Sequence, residues 1–236
     1  MKLDHAYYMR KALALAERGR GRTSPNPTVG AVIVDERGVI VGRGAHEKAG
    51  EPHAEILALQ DAGNRARGAT LYCTLEPCAH TGRTGPCAPA VADAGIRKAI
   101  IALEDPNPLV NGAGLAWLRS RGVEVNVGTL RDRAEEQNLP FLTAVRLGRP
   151  LVILKAAVSL DGKIAAAPGQ RTPLTGPAAN RFIHRQRAEV DAIAVGSGTV
   201  LADDPLITPR GAYRFRTLTR AEIDARFEEF KAFTEF

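Results

Sequence analysis

Two short segments, Pro52-His-Ala-Glu55 and Pro77-Cys-Ala-His-Thr-Gly-Arg-Thr-Gly-Pro-Cys87, hold the residues that decide the fold of this chain. His53, Cys78 and Cys87 offer one imidazole nitrogen and two thiolate sulfurs, which are ligands that zinc prefers. Three protein ligands are typical of a catalytic zinc ion, because the fourth position then stays open for water. A structural zinc ion normally has a fourth protein ligand, and the sequence offers none at a suitable spacing.

Glu55 is the candidate acid–base group of this site. It follows His53 by two residues, which places its carboxylate near the metal without binding it. A carboxylate there takes a proton from metal-bound water and passes it to a leaving amine. The order H-x-E, then P-C, then C is the signature of the zinc nucleoside-deaminase fold. The residues therefore predict a hydrolytic deaminase with Glu55 as its catalytic residue.

The composition narrows the class of protein. Hydrophobic residues make up 44% and charged residues 25% of the 236 residues, as in ordinary globular proteins. The net charge of +6 invites a nucleic-acid partner, but the 32 Lys and Arg are interleaved with 26 Asp and Glu and form no basic block. There is no apolar run of about 18 residues, and the polar N-terminus is not typical of a signal peptide. We expect a cytoplasmic protein with no nucleic-acid and no membrane partner.

The third cysteine, Cys73, lies in the apolar run Thr70-Leu-Tyr-Cys73, which alternates as a strand does. A cytoplasmic setting argues against disulfides. We expect Cys73 to be a buried, inert thiol, and the alternative is a further metal ligand.

Apolar periodicity and Gly/Pro punctuation predict alternating helices and strands before residue 147. The predicted elements are helix 3–18, strands 30–34 and 39–42, helix 52–62, strand 69–74, helix 86–94, strand 98–103, helix 112–120, strand 123–127 and helix 130–146. His53 and Glu55 then lie in a first helical turn, and Pro77-Cys78 is expected to open another, where the helix dipole favours a thiolate. This order predicts an α/β layered sheet with helices on both faces.

Gly148-Arg-Pro150 is the predicted boundary between a first domain, residues 1–148, and a second, residues 149–236. The second is predicted to contain strand 151–155, helix 177–188 and strand 192–195. From about residue 211 the chain is unusually rich in Phe, and residues 221–236 fit an amphipathic helix.

These motifs resemble the family of bifunctional riboflavin-biosynthesis proteins, in which a pyrimidine deaminase is joined to a reductase. The resemblance runs from about residue 4 to Arg210 and rests on Pro25-Asn-Pro-Thr-Val-Gly30, the two opening segments and Glu104-Asp-Pro-Asn107. Eight residues separate Cys78 from Cys87, whereas cytidine, adenosine-tRNA and polynucleotide-editing deaminases generally have two there. The implied fold is a three-layer cytidine-deaminase-like domain followed by a partial dihydrofolate-reductase-like α/β domain.

The resemblance implies that the substrate is 2,5-diamino-6-ribosylamino-4(3H)-pyrimidinone 5′-phosphate, whose C2 amine is replaced by oxygen with release of ammonia. The implied substrate contacts are Asn26, His80, Arg83, Asp105 and Asn107. His80 and Arg83 would meet the ribose and phosphate. From the residues alone, Asn26 equally fits a turn between prolines, and the segment 105–108 is turn chemistry. Three further histidines are expected to be surface or structural residues: His5, His46 and His184.

The second domain resembles the start of the family's NADPH-dependent reductase, through Lys155-Ala-Ala-Val-Ser-Leu-Asp-Gly-Lys163 and Gly196-Ser-Gly-Thr-Val-Leu-Ala-Asp-Asp-Pro205. By that resemblance, NADPH contacts Ala157, Thr199 and Asp203, and the substrate's sugar and phosphate contact Arg171, Arg187 and Arg210. Family reductase domains are more than twice as long as the part after Pro150. The glycine-rich loop for the dinucleotide phosphates is missing, so we expect the reductase activity to be absent or impaired.

Two other functions stay open from sequence: a deaminase of another free base or nucleoside, and a non-catalytic zinc scaffold. A nucleic-acid-editing deaminase should show phosphate-tracking basic clusters, which the sequence lacks. Glu55 argues against the scaffold, because a scaffold has no need of that carboxylate. Family members are commonly homo-oligomers, and we expect the same of this chain.

Overall fold

The structure is a computed structural model that describes residues 3–79, 85–108, 110–170 and 172–210. The chain divides into two compact units, Met1–Leu151 and Val152–Phe236. No helix within the described ranges combines the length and the apolar character that crossing a membrane requires.

The first unit is built from strands and helices in alternation. Its elements are α1 His5–Ala16, β1 Gly30–Val34, β2 Ile40–Ala45, α2 Ala54–Ala62, β3 Thr70–Cys73, α3 Cys87–Asp93, β4 Lys98–Ile101, α4 Ala113–Ser120, β5 Glu124–Val127, α5 Arg131–Gln137 and α6 Leu139–Leu147. The predicted order of helices and strands is confirmed. The single helix predicted over 130–146 is wrong, because the chain breaks at Asn138 into α5 and α6. Pro140 at the start of α6 has no N–H to continue a helix.

The five strands form one mixed sheet in the order β2-β1-β3-β4-β5. β1 is antiparallel to β2 and to β3, whereas β3, β4 and β5 are parallel. Cys73 at the end of β3 pairs with Ile101 at the end of β4. The segments that follow these two parallel strands therefore leave the sheet at the same edge, where α/β proteins usually form their sites.

Helices cover both faces of this sheet, as predicted. A Cβ atom on Gly30 would lie 2.0 Å from the Ala12 carbonyl oxygen of α1, and one on Gly44 would lie 2.0 Å from the Ala54 carbonyl oxygen of α2. Gly44 pairs with Ala31, the neighbour of Gly30, and neighbouring residues of a strand point to opposite faces. Helices α1 and α2 consequently pack on opposite faces, each in direct backbone contact with a strand.

The core lies between the sheet and these helices. Its largest fully buried side chains include Met9, Ile33, Leu71, Tyr72, Ile100, Leu115 and Leu142. His5 on α1 contacts the Tyr72 hydroxyl through Nδ1 at 2.8 Å, which fits the predicted structural role of this histidine.

The second unit contains helices α7 Pro177–Glu189 and α8 Ser197–Asp203. The predicted helix 177–188 is confirmed. The strands predicted over 151–155 and 192–195 are wrong, since residues 152–170 and 172–210 contain no strand. A strand needs a hydrogen-bonding partner, and Leu154 in the first of these segments is 93% exposed. The helix predicted over 221–236 lies outside the described residues.

Candidate metal centre

Helix α2 delivers His53 and Glu55 to the same space. His53 is the N-cap of α2, with extended φ and ψ angles of −71° and 159°. Glu55 lies in the first turn of the helix and is 3% exposed. The prediction that both residues lie in the first helical turn is confirmed for Glu55. It is wrong for His53, which directly precedes the first helical residue, Ala54. Gly44 sets their position, because without a Cβ it lets α2 rest on β2.

The two cysteines reach the site from different local structures. The prediction that Pro77-Cys78 opens a helical turn is wrong, because residues 76–79 have no regular structure. Cys87 instead is the first residue of α3. The Cys87 N–H donates to the Cys78 Sγ atom at 3.4 Å, and the Ala88 N–H donates to the Cys78 carbonyl oxygen at 3.0 Å. The helix start that favours a Cys78 thiolate is therefore that of α3.

The three predicted ligand atoms converge. The ligand atoms of His53, Cys78 and Cys87 all lie within 4.8 Å of one another. In the described part of the chain, no other three residues of the types His, Cys, Asp and Glu form such a cluster. His53 Nδ1 is 3.2 Å from Cys87 Sγ and 3.7 Å from Cys78 Sγ. Tetrahedral zinc with its usual bond lengths separates nitrogen and sulfur ligands by about 3.6 Å. The donor set and its spacing therefore fit one zinc ion.

The protonation of these groups follows from their contacts. Hydrogen bonds from Cys87 and His53 lower the pKa of the Cys78 thiol. The same contact with Cys78, together with burial, raises the pKa of Cys87. The hydrogen bond to Cys78 also raises the pKa of His53. Metal binding needs both thiols deprotonated, so it releases protons and strengthens as the pH rises.

Glu55 has the electrostatic environment of an acid–base group. Burial raises the pKa of its carboxyl to about 7, against the lowering effects of a backbone hydrogen bond and of His53. A group with a pKa near neutrality both accepts and returns a proton at neutral pH. Its side chain also forms a hydrogen bond with Cys87, which places it next to the ligand cluster.

His46, at the exit of β2, joins the site although the sequence suggested only a surface or structural residue. Its ring is 3% exposed and packs edge-on against the His53 ring, with centroids 5.4 Å apart. Its Nε2 atom is 3.4 Å from Asn26 Nδ2, and its Nδ1 atom is 3.2 Å from the Pro52 carbonyl oxygen. Burial lowers the pKa of His46. The structure thus brings Asn26 to the ligand His53 through His46.

Asp105 and Asn107 follow β4 at the edge of the sheet where the segment with Cys78 follows β3. Asp105 is 8% exposed, and its Oδ1 atom accepts the Asn107 N–H at 2.9 Å, so the turn chemistry is present. The sequence reasoning missed Glu76, whose buried carboxylate accepts the Asp105 N–H at 3.2 Å. The one signal for Glu76 was a carboxylate between the apolar run 69–75 and Pro77.

Cys73 is fully buried and lies outside the ligand cluster, as predicted. Burial raises the pKa of its thiol well above the usual value, which favours the inert thiol over a further ligand. His80, Arg83 and Arg171 lie outside the described residues.

Two family models match this chain. One describes the cytidine and deoxycytidylate deaminase zinc-binding region and matches residues 2–103, which include the three ligands and Glu55. The other describes the RibD C-terminal domain and matches residues 150–227. Over most of its length the chain is similar to curated RibD proteins.

Curated RibD proteins of two bacteria illustrate the likeness. The riboflavin biosynthesis protein RibD of Aquifex aeolicus is 47% identical over 94% of this chain and 62% of its own length. The RibD of Escherichia coli is 50% identical over 88% of this chain and 56% of its own length. The chain thus spans about three fifths of the length of these curated relatives.

Solved structures of RibD proteins share the fold. Acinetobacter baumannii RibD superimposes with a TM-score of 0.83 at 47% identity, over 89% of this chain and 58% of that one. A Thermotoga maritima protein superimposes with a TM-score of 0.83 at 41% identity, over 88% of this chain and 59% of that one. Its title describes a diaminohydroxyphosphoribosylaminopyrimidine deaminase/5-amino-6-(5-phosphoribosylamino)uracil reductase.

The segment that matches the RibD C-terminal domain contains a cavity of about 480 Å³. Ala157, Thr199 and Asp203, which the family resemblance assigned to NADPH, all line it. Arg187 does not line the cavity, and its Nη1 atom donates to the carbonyl oxygens of Leu206 and Thr208 at 3.4 Å each. Arg210 is exposed. The structure therefore brings the predicted cofactor residues together but does not place the two described arginines among the lining residues.

Proposed function

We propose that this chain catalyses the hydrolytic deamination of 2,5-diamino-6-ribosylamino-4(3H)-pyrimidinone 5′-phosphate in riboflavin biosynthesis. The products are 5-amino-6-ribosylaminouracil 5′-phosphate and ammonia. The observation that carries the proposal is the buried Glu55 carboxylate beside the converging ligand atoms of His53, Cys78 and Cys87. The name of the Thermotoga maritima relative supports the choice of substrate.

Each group in the site has a part in this reaction. His53, Cys78 and Cys87 would hold the zinc ion, which would supply an acidified water and stabilise developing negative charge. Glu55 takes the proton of the attacking water and delivers it to the ring nitrogen as C2 becomes tetrahedral. Glu55 then takes the second proton, from the new hydroxyl group on C2, and passes it to the departing amine, so the C2 carbonyl forms, the C–N bond breaks and ammonia leaves. Glu55 must be deprotonated to accept a proton and protonated to donate one. A pKa of about 7 makes both forms available at neutral pH.

The substrate is proposed to lie across the edge of the sheet. Asn26, Asp105 and Asn107 are proposed contacts of the pyrimidine ring or ribose, and His80 and Arg83 are proposed contacts of the ribose and phosphate. The position of Asn26 beside His46, and of Asp105 after β4, supports the first set. A deaminase of another base or nucleoside would share the metal centre and differ at these contacts.

The test is ammonia release from the phosphorylated diaminopyrimidine, with cytidine and RNA as competing substrates. We expect turnover by the zinc-loaded protein and a loss of about 10²–10⁴-fold in kcat for Glu55→Gln, since the amide cannot transfer the proton. The matched control is Glu136→Gln, an identical change at an exposed position on α5. A chelated sample should be inactive and recover with zinc.

Turnover of cytidine or RNA without turnover of the diaminopyrimidine would reject the substrate. Full activity of Glu55→Gln would reject the proton transfers. Absence of any turnover, with the metal bound, would favour the zinc scaffold.

The reductase step is proposed to be absent or impaired in this chain. The described residues of the second unit contain two helices and no strand. Oxidation of NADPH by the purified chain, with the deaminated product supplied, would overturn this proposal. The same sample serves to measure mass in solution by light scattering, where we propose a homo-oligomer and a monomer would contradict it.

A further inference from the structure

Glu76 is a buried carboxylate that the deamination steps do not use. It is 4% exposed and lies between the end of β3 and Pro77. Its Oε2 atom accepts the N–H groups of Asp105 and Gly112, at 3.2 and 3.0 Å. Its Oε1 atom accepts the N–H groups of Gly114 and Leu115, at 2.9 and 3.3 Å. Four backbone donors therefore converge on one side chain.

These donors belong to a single stretch of chain that starts at a proposed substrate contact. Asp105 opens the segment after β4, and its own carboxylate accepts the Asn107 N–H. The other three donors lie at the start of α4, whose N-cap residue Gly112 provides no side-chain hydrogen bond. Glu76 takes the place of that cap from the segment that follows β3, and its carboxylate suits the positive end of the helix.

The start of α4 is also in backbone contact with Pro77, the residue that precedes Cys78. A Cβ atom on Gly114 would lie 1.8 Å from the Pro77 carbonyl oxygen, so only glycine allows α4 to come this close. Pro77 is the residue between Glu76 and the ligand Cys78. The Glu76 N–H also donates to the Leu103 carbonyl oxygen at 2.9 Å, which joins the exits of β3 and β4.

We propose that Glu76 is a positioning residue that sets Asp105 and Asn107 at a fixed distance from the metal ligand Cys78 and thereby fixes where the substrate ring is held. The inference rests on the proposed function. Glu76 acts through the backbone of the segment that begins at Asp105 and ends at the start of α4. It therefore affects substrate binding more than the proton transfers, which Glu55 carries out.

The substitution Glu76→Gln tests this with almost no change in volume. A carboxylate accepts at both oxygens, whereas an amide offers one oxygen and an NH₂ group that cannot accept. Two of the four backbone N–H groups then lose their acceptor in a buried place, which is costly. Glu76→Asp keeps the charge and both acceptors but retracts them, so it should weaken the contacts without abolishing them. Glu136→Gln is the matched control for loss of one carboxylate.

We expect Glu76→Gln to raise KM for the phosphorylated diaminopyrimidine by at least about tenfold. We expect kcat to change by less than about threefold and the zinc content per chain to match the wild type, since Glu55 and the ligands are intact. Glu76→Asp should have an intermediate KM, and Glu136→Gln a wild-type KM. Amide hydrogen exchange should become faster at Asp105, Gly112, Gly114 and Leu115, with strands β3 and β4 unchanged.

A lower melting temperature with unchanged KM in both Glu76 variants would overturn the proposal, because Glu76 would then stabilise the fold alone. A fall in kcat with unchanged KM would overturn it too. If Glu76→Gln does not fold, Glu76→Asp decides by the same KM comparison. If the wild type does not turn over the substrate, the proposed function fails separately. Exchange in the zinc-loaded protein then decides, and unchanged exchange at the four N–H groups would overturn the positioning role.

Discussion

At the scale of single residues, burial separates the three cysteines into two chemical classes. The sulfur atoms of Cys87 and Cys78 lie 3.2 and 3.7 Å from His53 Nδ1. The Cys87 N–H also donates to the Cys78 sulfur. Cys73 is fully buried, and its raised pKa keeps it as a thiol. Reactivity follows the thiolate, so the same residue type is a ligand in one place and a core side chain in another.

This separation predicts different outcomes for two cysteine substitutions. Cys73→Ala should cost about 1–2 kcal/mol of unfolding free energy, because it leaves a small core cavity, and should keep the full zinc content. Cys78→Ala, the matched change at a ligand, should lose zinc. Metal analysis and denaturant unfolding measure both effects. Loss of zinc in Cys73→Ala would show that Cys73 is a ligand after all.

The same separation predicts which thiols react with iodoacetamide. In the native protein stripped of metal, Cys78 should be alkylated, since hydrogen bonds lower its pKa. Cys73 should be alkylated only in denaturant. Peptide mass spectrometry after a timed reaction reads out each site. Equal rates at Cys73 and Cys78 under native conditions would contradict the buried position of Cys73.

The residues of the metal centre were predictable from sequence because their chemistry is local and their types are rare. His53, Glu55 and the two ligand cysteines stand in a spacing that few structural uses would produce. Glu76 and His46 were missed for the opposite reason. Each depends on residues that are distant in sequence, Glu76 on the start of α4 and His46 on Asn26. Such pairings become visible only when the strands are in register.

At the scale of elements, backbone contact between β2 and α2 sets the position of the metal ligand His53. Gly44→Ala should place a Cβ 2.0 Å from the Ala54 carbonyl oxygen, so α2 has to shift away from the strand. We expect a loss of about 1–3 kcal/mol in unfolding free energy and weaker zinc binding. The control is Gly176→Ala, where a Cβ meets no atom within 4 Å. Unchanged zinc affinity in a destabilised Gly44→Ala variant would show that His53 is positioned independently of this contact.

The stability of the β1–β2 hairpin depends on pH through Asp35, which lies in its turn. The Asp35 carboxylate accepts the N–H groups of Val39 and Arg37, which lower the pKa of Asp35 below its usual value of 3.8. A lowered folded-state pKa stabilises the protein above pH 3.8, and this contribution is lost as the pH falls through the folded-state pKa.

We therefore expect Asp35→Asn to be less stable than the wild type at neutral pH, and the difference to shrink as the solution is acidified. Urea unfolding at a series of pH values measures this. Glu136→Gln, at an exposed position on α5, is the control. A difference in stability that does not depend on pH would show that Asp35 has the same pKa in the folded and the unfolded protein.

Helices and strands were predictable from sequence where the apolar pattern agrees with the packing. They were not predictable where contacts of a few residues interrupt or prevent a helix. The hairpin and the central strands of the first unit follow from short apolar runs bounded by turn residues. The break at Asn138 has a local and a tertiary cause. Pro140 cannot donate an N–H, and the buried Asn138 side chain bonds the backbone and hydroxyl of Thr28. The helical turn expected at Pro77-Cys78 does not form. The Glu76 N–H donates to the Leu103 carbonyl oxygen, and the Sγ and carbonyl oxygen of Cys78 accept N–H groups from the start of α3.

At the scale of the whole molecule, the residues of the proposed deaminase site all lie in one unit. The metal ligands, Glu55 and the proposed positioning residue Glu76 all lie in Met1–Leu151. The buried core residues of the chain lie in that unit as well, within the ranges that the structure describes. The second unit has exposed apolar side chains instead, including Leu154, Leu160 and Leu201. The strand patterns of the second unit misled the sequence prediction because an apolar run indicates a strand only where a partner strand covers it.

This distribution predicts that the first unit is sufficient for deamination. A protein of residues 1–151 contains the sheet, both helix layers and every described candidate residue of the metal centre, so it should fold, bind zinc and keep kcat within about twofold of the full chain. The matched control is the same fragment with Glu55→Gln, which should bind zinc and lose activity. Zinc content, thermal unfolding and ammonia release measure the three properties. A fragment that folds and binds zinc but has a raised KM would show that residues after 151 contribute to substrate binding. A fragment that fails to bind zinc would show that the metal centre needs the second unit for its stability.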